Sequence, residues 1–208
     1  MKLQSIILGF LFIGFFVLQG CKSSNDPAPY QLSAFSEEGM NAVIEIPAGT
    51  NKKIEYNSET KQYEVDVLDG KKRVIDFLAY PANYGFIPST IMDKDKGGDG
   101  DALDILVLGE SQPTGTVLKV KPIAMLELLD GGELDTKIIG VPLDSTLQVV
   151  KIDKFEDLLI KYNGIQRIIE TWFLNYKGLG KMELVGWKNE AAAMSEIRKW
   201  AKKEEVRD

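Results

Sequence analysis

Histidine is absent from the chain, which has 208 residues. Its absence excludes serine–histidine and cysteine–histidine nucleophile pairs, and it also excludes metal sites built on imidazole. Any acid–base chemistry in this protein must therefore use carboxylates, lysine, arginine or tyrosine.

Cysteine and positive charge are both scarce. Cys21 is the only cysteine, so no disulfide can form within the chain. Lysine and arginine number 25 against 31 aspartates and glutamates, which gives a net charge of −6. An acidic chain is poorly suited to nucleic acid, and no nucleic-acid partner is expected. Apolar residues make up 44% of the sequence, which is enough for the core of one domain.

An apolar run lies at the N-terminus, from Ile6 to Leu18, and follows Lys2. It is too short to cross a hydrocarbon core of about 30 Å comfortably, so a cleaved signal peptide fits better than a membrane span. The run ends in the letters LQGC, which resemble the bacterial lipobox and place the only cysteine, Cys21, where a lipid is added. Glutamine stands where the lipobox usually has a small residue. The alternative is a free thiol after an ordinary signal peptide.

The lipobox resemblance implies an exported protein that a lipid anchors to a bacterial membrane, with its domain facing the periplasm. Residues 1–20 would be the lipoprotein signal peptide, and Cys21 would carry the lipid. Residues 21–38 are polar and contain proline, which is typical of a flexible tether. Residues 39–208 would then form the folded domain.

Short β-rich runs punctuated by glycine, proline, asparagine and aspartate fill the first part of that domain. Their close spacing favours antiparallel pairing or a small barrel. Apolar residues at helical spacing predict a helix from Phe155 to Tyr176 with Asp153 as its N-cap, and a second helix from about Asn189 to Glu205. The fold class is therefore α+β, a β-barrel with C-terminal helices packed outside it. The predicted strands are AVIEIP, KIEY, YEVDVL, RVIDFL, DILVL, VLKVKPIAMLEL and KIIGVPL.

A cluster of aspartates precedes the predicted strand DILVL. Carboxylates crowded in this way bind hard divalent cations such as Mg²⁺ or Ca²⁺, and Gly100 would let the backbone turn tightly between them. A solvated acidic loop is one alternative. An EF-hand calcium loop is another, but Pro81, Gly85 and Pro88 interrupt the upstream segment where that motif needs a helix. The aspartates are Asp93, Asp95, Asp99, Asp101 and Asp104.

A second acidic group runs from Asp130 to Lys137. Asp135 and Lys137 are two residues apart, so on a strand their side chains share one face. A carboxylate and an ammonium group on one face suit a metal-bound phosphate, although an ordinary surface ion pair gives the same pattern.

Taken in order along the chain, these motifs resemble the family I soluble inorganic pyrophosphatases from about Ala42 to Trp187. The strongest match is DGDALDILV, which resembles the family's D-G-D-P-x-D motif followed by a strand, with Ala102 in place of proline. The stretch from Asp130 to Lys137 resembles the family's D-E-x-E-x-D-x-K motif, with Gly131 in place of the first glutamate. The other matching segments are VIEIP, KIE, Arg73, YPANYG and NYK.

The resemblance implies an OB-like five-stranded antiparallel β-barrel with flanking C-terminal helices, and hydrolysis of diphosphate to two phosphates with Mg²⁺ as cofactor. It implies Asp101 as the general base and as a ligand of an activating metal pair. The remaining metal ligands would be Asp99, Asp104 and Asp135 for that pair, and Asp130 and Glu45 for substrate-borne metals. The phosphate-binding residues would be Lys53, Arg73, Tyr84, Lys137, Tyr176 and Lys177, with Glu55 and Tyr80 in supporting roles.

Two other classes of function remain open at this level. A calcium-stabilised lipoprotein could bind a ligand without catalysis, and a degenerate pyrophosphatase could persist as a structural protein. Against the second, the five central residues of the two acidic motifs are all present. The sequence leaves open whether the chain forms a homo-oligomer. The five residues are Asp99, Asp101, Asp104, Asp135 and Lys137.

Overall fold

The structure is a computed structural model that describes residues 28–202. The predicted signal peptide, the lipidation site Cys21 and the predicted end of the last helix lie outside the described residues. Within residues 28–202, no helix is long and apolar enough to cross a membrane.

Strands dominate the first two thirds of the described chain, and helices follow them. The helices are α1 (Phe155–Ile160), α2 (Asn163–Asn175) and α3 (Glu190–Trp200). The strands are β1 (Phe35–Ser36), β2 (Gly39–Ile46), β3 (Ile54–Asn57), β4 (Gln62–Val65), β5 (Val67–Leu68), β6 (Lys71–Lys72), β7 (Asn83–Phe86), β8 (Asp104–Val107), β9 (Val117–Asp130), β10 (Glu133–Pro142) and β11 (Met182–Asn189).

Five of these strands close into a barrel. The sheet runs β2, β7, β8, β10 and β9, and an additional pairing of β9 with β2 closes the ring. β1 and β11 extend the sheet beside β2 and β9. The prediction of an α+β fold with an OB-like five-stranded barrel and C-terminal helices is confirmed.

One pair in the ring is parallel rather than antiparallel. β8 lies parallel to β10, whereas every other pairing around the ring is antiparallel. The chain leaves β8 and crosses one end of the barrel before entering β9. A tight turn then returns it as β10 beside β8, in the direction of β8. Gly131 and Gly132 make this turn with φ of 60° and 94°, which favours glycine.

The barrel strands are buried on both faces. Along β8, Ile105 packs in a cluster with Ile197 and Trp200 of α3, and its neighbour Leu106 packs in another cluster with Trp172 of α2. This alternation follows from the period of two in a strand. Burial of a side chain of this size stabilises the fold by about 1.5–3 kcal/mol, so both clusters hold the helices against the strands.

Two local predictions for the helices need correction. The predicted helix from Phe155 to Tyr176 breaks between α1 and α2, and Lys154 rather than Asp153 is the N-cap of α1. Asp153 instead donates its backbone N–H to the side chain of Asp157, at 3.0 Å. The carboxylate that accepts this N–H therefore belongs to the first turn of α1 and not to a residue before the helix.

The strand assignments also differ at two places. The run RVIDFL is not a strand, because only Val74 forms an isolated bridge, with Lys52. Conversely, β7 was not predicted as a strand, since its letters NYGF include residues common in turns. Gly85 is needed there, because a Cβ atom at this position would lie 1.9 Å from the carbonyl oxygen of Val43 in β2. β11 was missed as well.

Part of the predicted tether packs against the barrel. β1 pairs with β2, and Ala34 is buried in the cluster that contains Ile197. The packed part of the chain therefore begins before residue 39.

Candidate active site

A cavity of about 760 Å³ opens beside the barrel, and charged side chains dominate its lining. The carboxylates that line it within residues 28–202 are Glu45, Glu55, Asp99, Asp101, Asp104, Asp130, Glu133 and Asp135. The cationic side chains that line it are Lys53, Arg73, Lys137, Lys177 and Lys202. With Tyr84 and Tyr176, the cavity brings together almost all of the site residues that the sequence predicted.

The loop before β8 is held by hydrogen bonds that fix its aspartates. The carboxylate of Asp99 accepts the backbone N–H of Asp101 at 2.9 Å. The carbonyl oxygen of Asp101 in turn accepts the N–H of Met92 at 2.8 Å. Thr90 accepts the N–H of Leu103 on its hydroxyl at 2.9 Å. These bonds join the loop to residues 90–92 and orient Asp99 and Asp101 toward the cavity.

Not every aspartate of this loop reaches the cavity. Asp93 caps the short 3-10 helix Lys94–Lys96 by accepting the N–H of Asp95, and neither of these two aspartates lines the cavity. The loop leads directly into strand β8. The EF-hand alternative is therefore excluded, because the second helix of that motif has no counterpart here.

Lys137 lies at the centre of the acidic wall. Its ammonium group pairs with Asp104 and, at 2.6 Å, with Asp135, and it lies 5.7 Å from the centroid of the Tyr84 ring. The parallel register of β8 and β10 places Lys137 directly beside Asp104. Burial opposes the charge of Lys137, but the two carboxylates outweigh it and hold the pKa of this lysine above its ordinary value. Lys137 is only 4% exposed, so it is a fixed positive charge between two carboxylates.

Two carboxylates are destabilised as anions. Burial, followed by the negative charges of Asp99 and Asp104, raises the pKa of Asp101. Burial also raises the pKa of Glu45 to about 8, although its carboxylate accepts the N–H of Tyr56 at 2.8 Å. Carboxylates with raised pKa values in a cavity are typical of sites that bind cations or transfer protons.

The predicted phosphate-binding cations lie along the rest of the wall, each beside an acidic partner. Lys53 pairs with Glu55, and Lys177 pairs with Asp130. Arg73 pairs with Asp66 at 2.7 Å. Because these lysines and the arginine are all partly exposed, each can exchange its carboxylate partner for an anion that enters the cavity.

The predicted tyrosines have different positions. Tyr84 and Tyr176 line the cavity, and burial raises the pKa of Tyr84 well above its ordinary value. Tyr80 does not line the cavity. It packs between Tyr84, with ring centroids 5.2 Å apart, and Trp172, at 4.5 Å, while Trp172 stacks on Tyr176 at 4.6 Å. Tyr80 thus supports both cavity tyrosines from behind, as part of the core.

The donor atoms of the cavity suit a hard divalent cation. Carboxylate oxygens are the ligands that Mg²⁺ and Ca²⁺ prefer, and mutual repulsion among these carboxylates is relieved when a cation binds. Within residues 28–202, no three carboxylates are grouped closely enough to form a complete metal cluster. Lys137 pairs with both Asp104 and Asp135. The residues therefore fit a divalent cation in chemistry, with Lys137 supplying part of the positive charge.

Five charged or aromatic residues of the cavity were missed from the sequence, namely Tyr30, Tyr56, Phe86, Glu133 and Lys202. Glu133 lies close to the second acidic group in the chain and could have been included on that ground. Tyr30 and Lys202 come from segments that precede and follow the main body of the domain. No motif or periodicity marks either one.

The raised pKa of Glu45 predicts a pH-dependent stability in the presence of a chelator. The folded protein holds this proton more tightly than the unfolded chain, whose glutamate titrates near pH 4.5. The stabilisation is complete below that pH and is lost as the pH rises through about 8, by up to about 5 kcal/mol. Glu45→Gln should therefore unfold at higher urea concentration than the wild type at about pH 8.5, and the gap should shrink toward about pH 5. Parallel pH profiles of the two proteins would contradict this account.

Comparisons with known proteins converge on one family. Residues 42–205 match the family model described as inorganic pyrophosphatase. The chain is 35% identical over 167 residues to the inorganic pyrophosphatase of Synechocystis sp., and this alignment covers 78% of this chain and 90% of that protein. It is 38% identical over 165 residues to inorganic pyrophosphatase 1 of Pseudomonas syringae pv. tomato, with 75% and 85% covered.

Solved structures give the same answer for the fold. The inorganic pyrophosphatase from Thermus thermophilus superposes with a TM-score of 0.70 at 30% identity, covering 83% of this chain and 95% of that one. The type I inorganic pyrophosphatase from Toxoplasma gondii superposes with a TM-score of 0.74 at 26% identity, covering 83% and 85%.

Proposed function

The chain belongs to the inorganic pyrophosphatase family, and from this premise we propose that it hydrolyses diphosphate to two phosphates in the cavity beside the barrel. The enzyme is an inorganic diphosphatase. The observation that carries the proposal is the lining of that cavity, where carboxylates for cations and basic groups for phosphate face one another.

The family is metal-dependent, and we propose Mg²⁺ as the cofactor here. Asp99, Asp101, Asp104 and Asp135 would hold the ions that activate water, and Asp130 and Glu45 would serve ions that arrive with the substrate. When bound, such cations lower the pKa of water from about 15.7 toward neutrality and offset the charge of diphosphate. Their binding explains how an acidic cavity accepts a polyanion.

Asp101 is the proposed general base. The backbone of Asp101 lies in the loop that Asp99, Met92 and Thr90 hold in place, so the point from which its carboxylate extends is fixed before substrate enters. A carboxylate that reaches the cavity can accept a proton from the attacking water.

The basic and phenolic side chains bind the phosphates. Lys53, Arg73 and Lys177 are the partly exposed cations of the cavity and would exchange their carboxylate partners for phosphate oxygens. Arg73 offers a planar pair of N–H donors, which matches two oxygens of one phosphate. The phenols of Tyr84 and Tyr176 and the ammonium of Lys137 would add further hydrogen bonds to the phosphate oxygens.

Oxygen isotope labelling tests the reaction class. The protein is incubated with diphosphate and Mg²⁺ in water enriched in oxygen-18, and the phosphates are analysed by phosphorus-31 NMR. Attack by water predicts a single labelled oxygen in one of the two phosphates from each diphosphate. Transfer of a phosphoryl group to another acceptor, or intact diphosphate after incubation, would contradict the proposal.

Membrane anchoring is a separate proposal that rests on the sequence before the described residues. Cys21 would carry a lipid that holds the exported enzyme on a bacterial membrane, with its domain on the periplasmic side. Cys21→Ser is expected to move most of the protein from the membrane fraction to the soluble fraction, because a stable anchor needs the acyl chains. An unchanged distribution after fractionation and immunoblotting would mean that Cys21 carries no anchor.

A further inference from the structure

Tyr30 lies outside the residues that match the family and yet lines the catalytic cavity. It belongs to the short 3-10 helix Pro29–Gln31, whereas the family match begins at residue 42. The segment that was predicted as tether thus contributes a side chain to the site.

Two kinds of contact hold this tyrosine in place. Ser89 donates its backbone N–H and its hydroxyl to the carbonyl oxygen of Tyr30, at 3.2 and 3.4 Å. Ser89 has a φ of 50°, in the left-handed region that residues other than glycine seldom adopt. The ring of Tyr30 stacks on Phe86 with centroids 4.3 Å apart and lies 5.6 Å from the ring of Tyr56. Tyr30 is therefore fixed at both its backbone and its ring.

These contacts place Tyr30 beside residues that adjoin the proposed metal ligands. Phe86 is directly opposite Asp104 in the antiparallel pair of β7 and β8, so their side chains share one face. Tyr56 donates its backbone N–H to the carboxylate of Glu45. Tyr30 thus packs on two residues that adjoin the acidic wall.

The chemistry of the phenol suits a neutral donor. Burial, followed by the negative charges of Glu45 and Asp101, raises the pKa of Tyr30, so the phenol keeps its proton. The hydrogen bonds that hold Tyr30 use its backbone, and among residues 28–202 its hydroxyl has no acceptor. A protonated phenol that faces a cavity can donate one hydrogen bond to an incoming oxygen.

We propose that Tyr30 is a substrate-binding residue whose hydroxyl donates a hydrogen bond to a phosphate oxygen of bound diphosphate, on the side of the cavity formed by Glu45, Glu55 and Asp101. The inference rests on the proposed function, since it assigns a contact to the same substrate. Its consequence is that the segment before the family match is part of the enzyme's substrate site.

Tyr30→Phe in the full chain tests the proposal, with Tyr63→Phe as the matched control. Tyr63 belongs to the same aromatic group, with its ring 5.1 Å from that of Tyr56, but it does not line the cavity. Its hydroxyl is buried and finds no hydrogen-bond partner among residues 28–202. Both variants lose one phenolic oxygen and keep the ring, so only the contact with substrate distinguishes them.

Loss of a hydrogen bond to a charged oxygen is expected to raise KM for diphosphate about tenfold in Tyr30→Phe, with kcat within about twofold of the wild type. The dissociation constant for imidodiphosphate, a non-hydrolysable analogue, should rise by a similar factor in calorimetry with Mg²⁺. Tyr63→Phe should leave both quantities unchanged. The thermal midpoint of Tyr30→Phe should stay at the wild-type value, because the stacking on Phe86 remains.

The outcomes separate this inference from the proposed function. If the wild type releases phosphate and Tyr30→Phe matches Tyr63→Phe in both KM and imidodiphosphate affinity, the role of Tyr30 is overturned. A fall in kcat with unchanged KM would also overturn it, since ground-state binding predicts the reverse. If the wild type releases no phosphate, the proposed function fails. Equal affinities of the wild type and Tyr30→Phe for imidodiphosphate would overturn the Tyr30 contact even then, because that measurement does not require turnover.

Discussion

Asp101→Asn is expected to lower kcat for diphosphate hydrolysis by about 1,000-fold, because a carboxamide cannot take the proton of the attacking water. The side chain keeps its shape. Residue 101 donates its backbone N–H to the carboxylate of Asp99 and accepts the N–H of Met92 on its carbonyl oxygen, and neither bond uses the carboxylate of Asp101. The fold should therefore be retained. Without added metal the variant should even be slightly more stable, since the charge of Asp101 is opposed by burial and by Asp99 and Asp104.

Asp95→Asn is the matched control for this prediction. Asp95 lies in the same loop and is exposed, and its side chain does not line the cavity. The same chemical change at this position should leave kcat within about twofold of the wild type. Steady-state phosphate release at several pH values, with urea unfolding of both variants, gives the comparison. A kcat in Asp101→Asn close to that of Asp95→Asn would show that another group is the base.

Lys137→Met is expected to destabilise the protein by about 3 kcal/mol in the presence of a chelator, because it leaves two partly buried carboxylates without their shared cation. Lys137 is 4% exposed and pairs with both Asp104 and Asp135. Without the ammonium group these two carboxylates repel each other. Methionine preserves most of the side-chain volume, so the loss of charge dominates the effect.

Divalent cations should recover part of this loss. In Lys137→Met the added Mg²⁺ supplies the positive charge that the lysine provided, so the free energy of unfolding should rise more steeply with Mg²⁺ concentration than in the wild type. Lys53→Met is the control, because Lys53 pairs with a half-exposed Glu55 and its loss should cost about 1 kcal/mol or less. Equal unfolding midpoints for the two variants in chelator would contradict the proposed role of the buried lysine. So would an absence of any added response to Mg²⁺ in Lys137→Met.

The sequence predicted four of the five barrel strands, β2, β8, β9 and β10, because each carries a β-rich run. It failed where tertiary contacts override local pattern. RVIDFL has the apolar content of a strand, yet Val74, Phe77 and Leu78 are 52%, 41% and 71% exposed. In contrast, β7 contains Asn83, which is fully buried because its amide bonds to backbone groups at residues 48, 110 and 112. Such bonds connect positions far apart in the chain and leave no periodicity.

The candidate site shows the same division. Asp99, Asp101, Asp104, Asp135 and Lys137 were predicted because they lie in two short motifs, and the register of β8 and β10 brings those motifs together. The motifs do not show which carboxylates contact Lys137, nor that burial raises the pKa of Glu45. Both properties depend on tertiary packing.

Tyr30 could not be found from the sequence, because its position depends on Ser89, which is 59 residues away in the chain. The polar, proline-containing stretch around it is typical of a tether, and nothing in that pattern marks an aromatic residue that packs on Phe86. Residues brought in by the flanking segments are therefore the part of such a site that only the folded structure reveals.

Phosphate release from diphosphate by the purified protein, measured with Mg²⁺, with Ca²⁺ and with a chelator, decides whether the cavity is a diphosphatase active site. We expect turnover with Mg²⁺ that both Ca²⁺ and the chelator suppress, because Mg²⁺ requires a compact octahedral shell of oxygen ligands, whereas the larger Ca²⁺ accepts more ligands in a less regular shell. No turnover with Mg²⁺, together with strong stabilisation by Ca²⁺, would contradict it and would indicate a calcium-binding protein without catalytic activity.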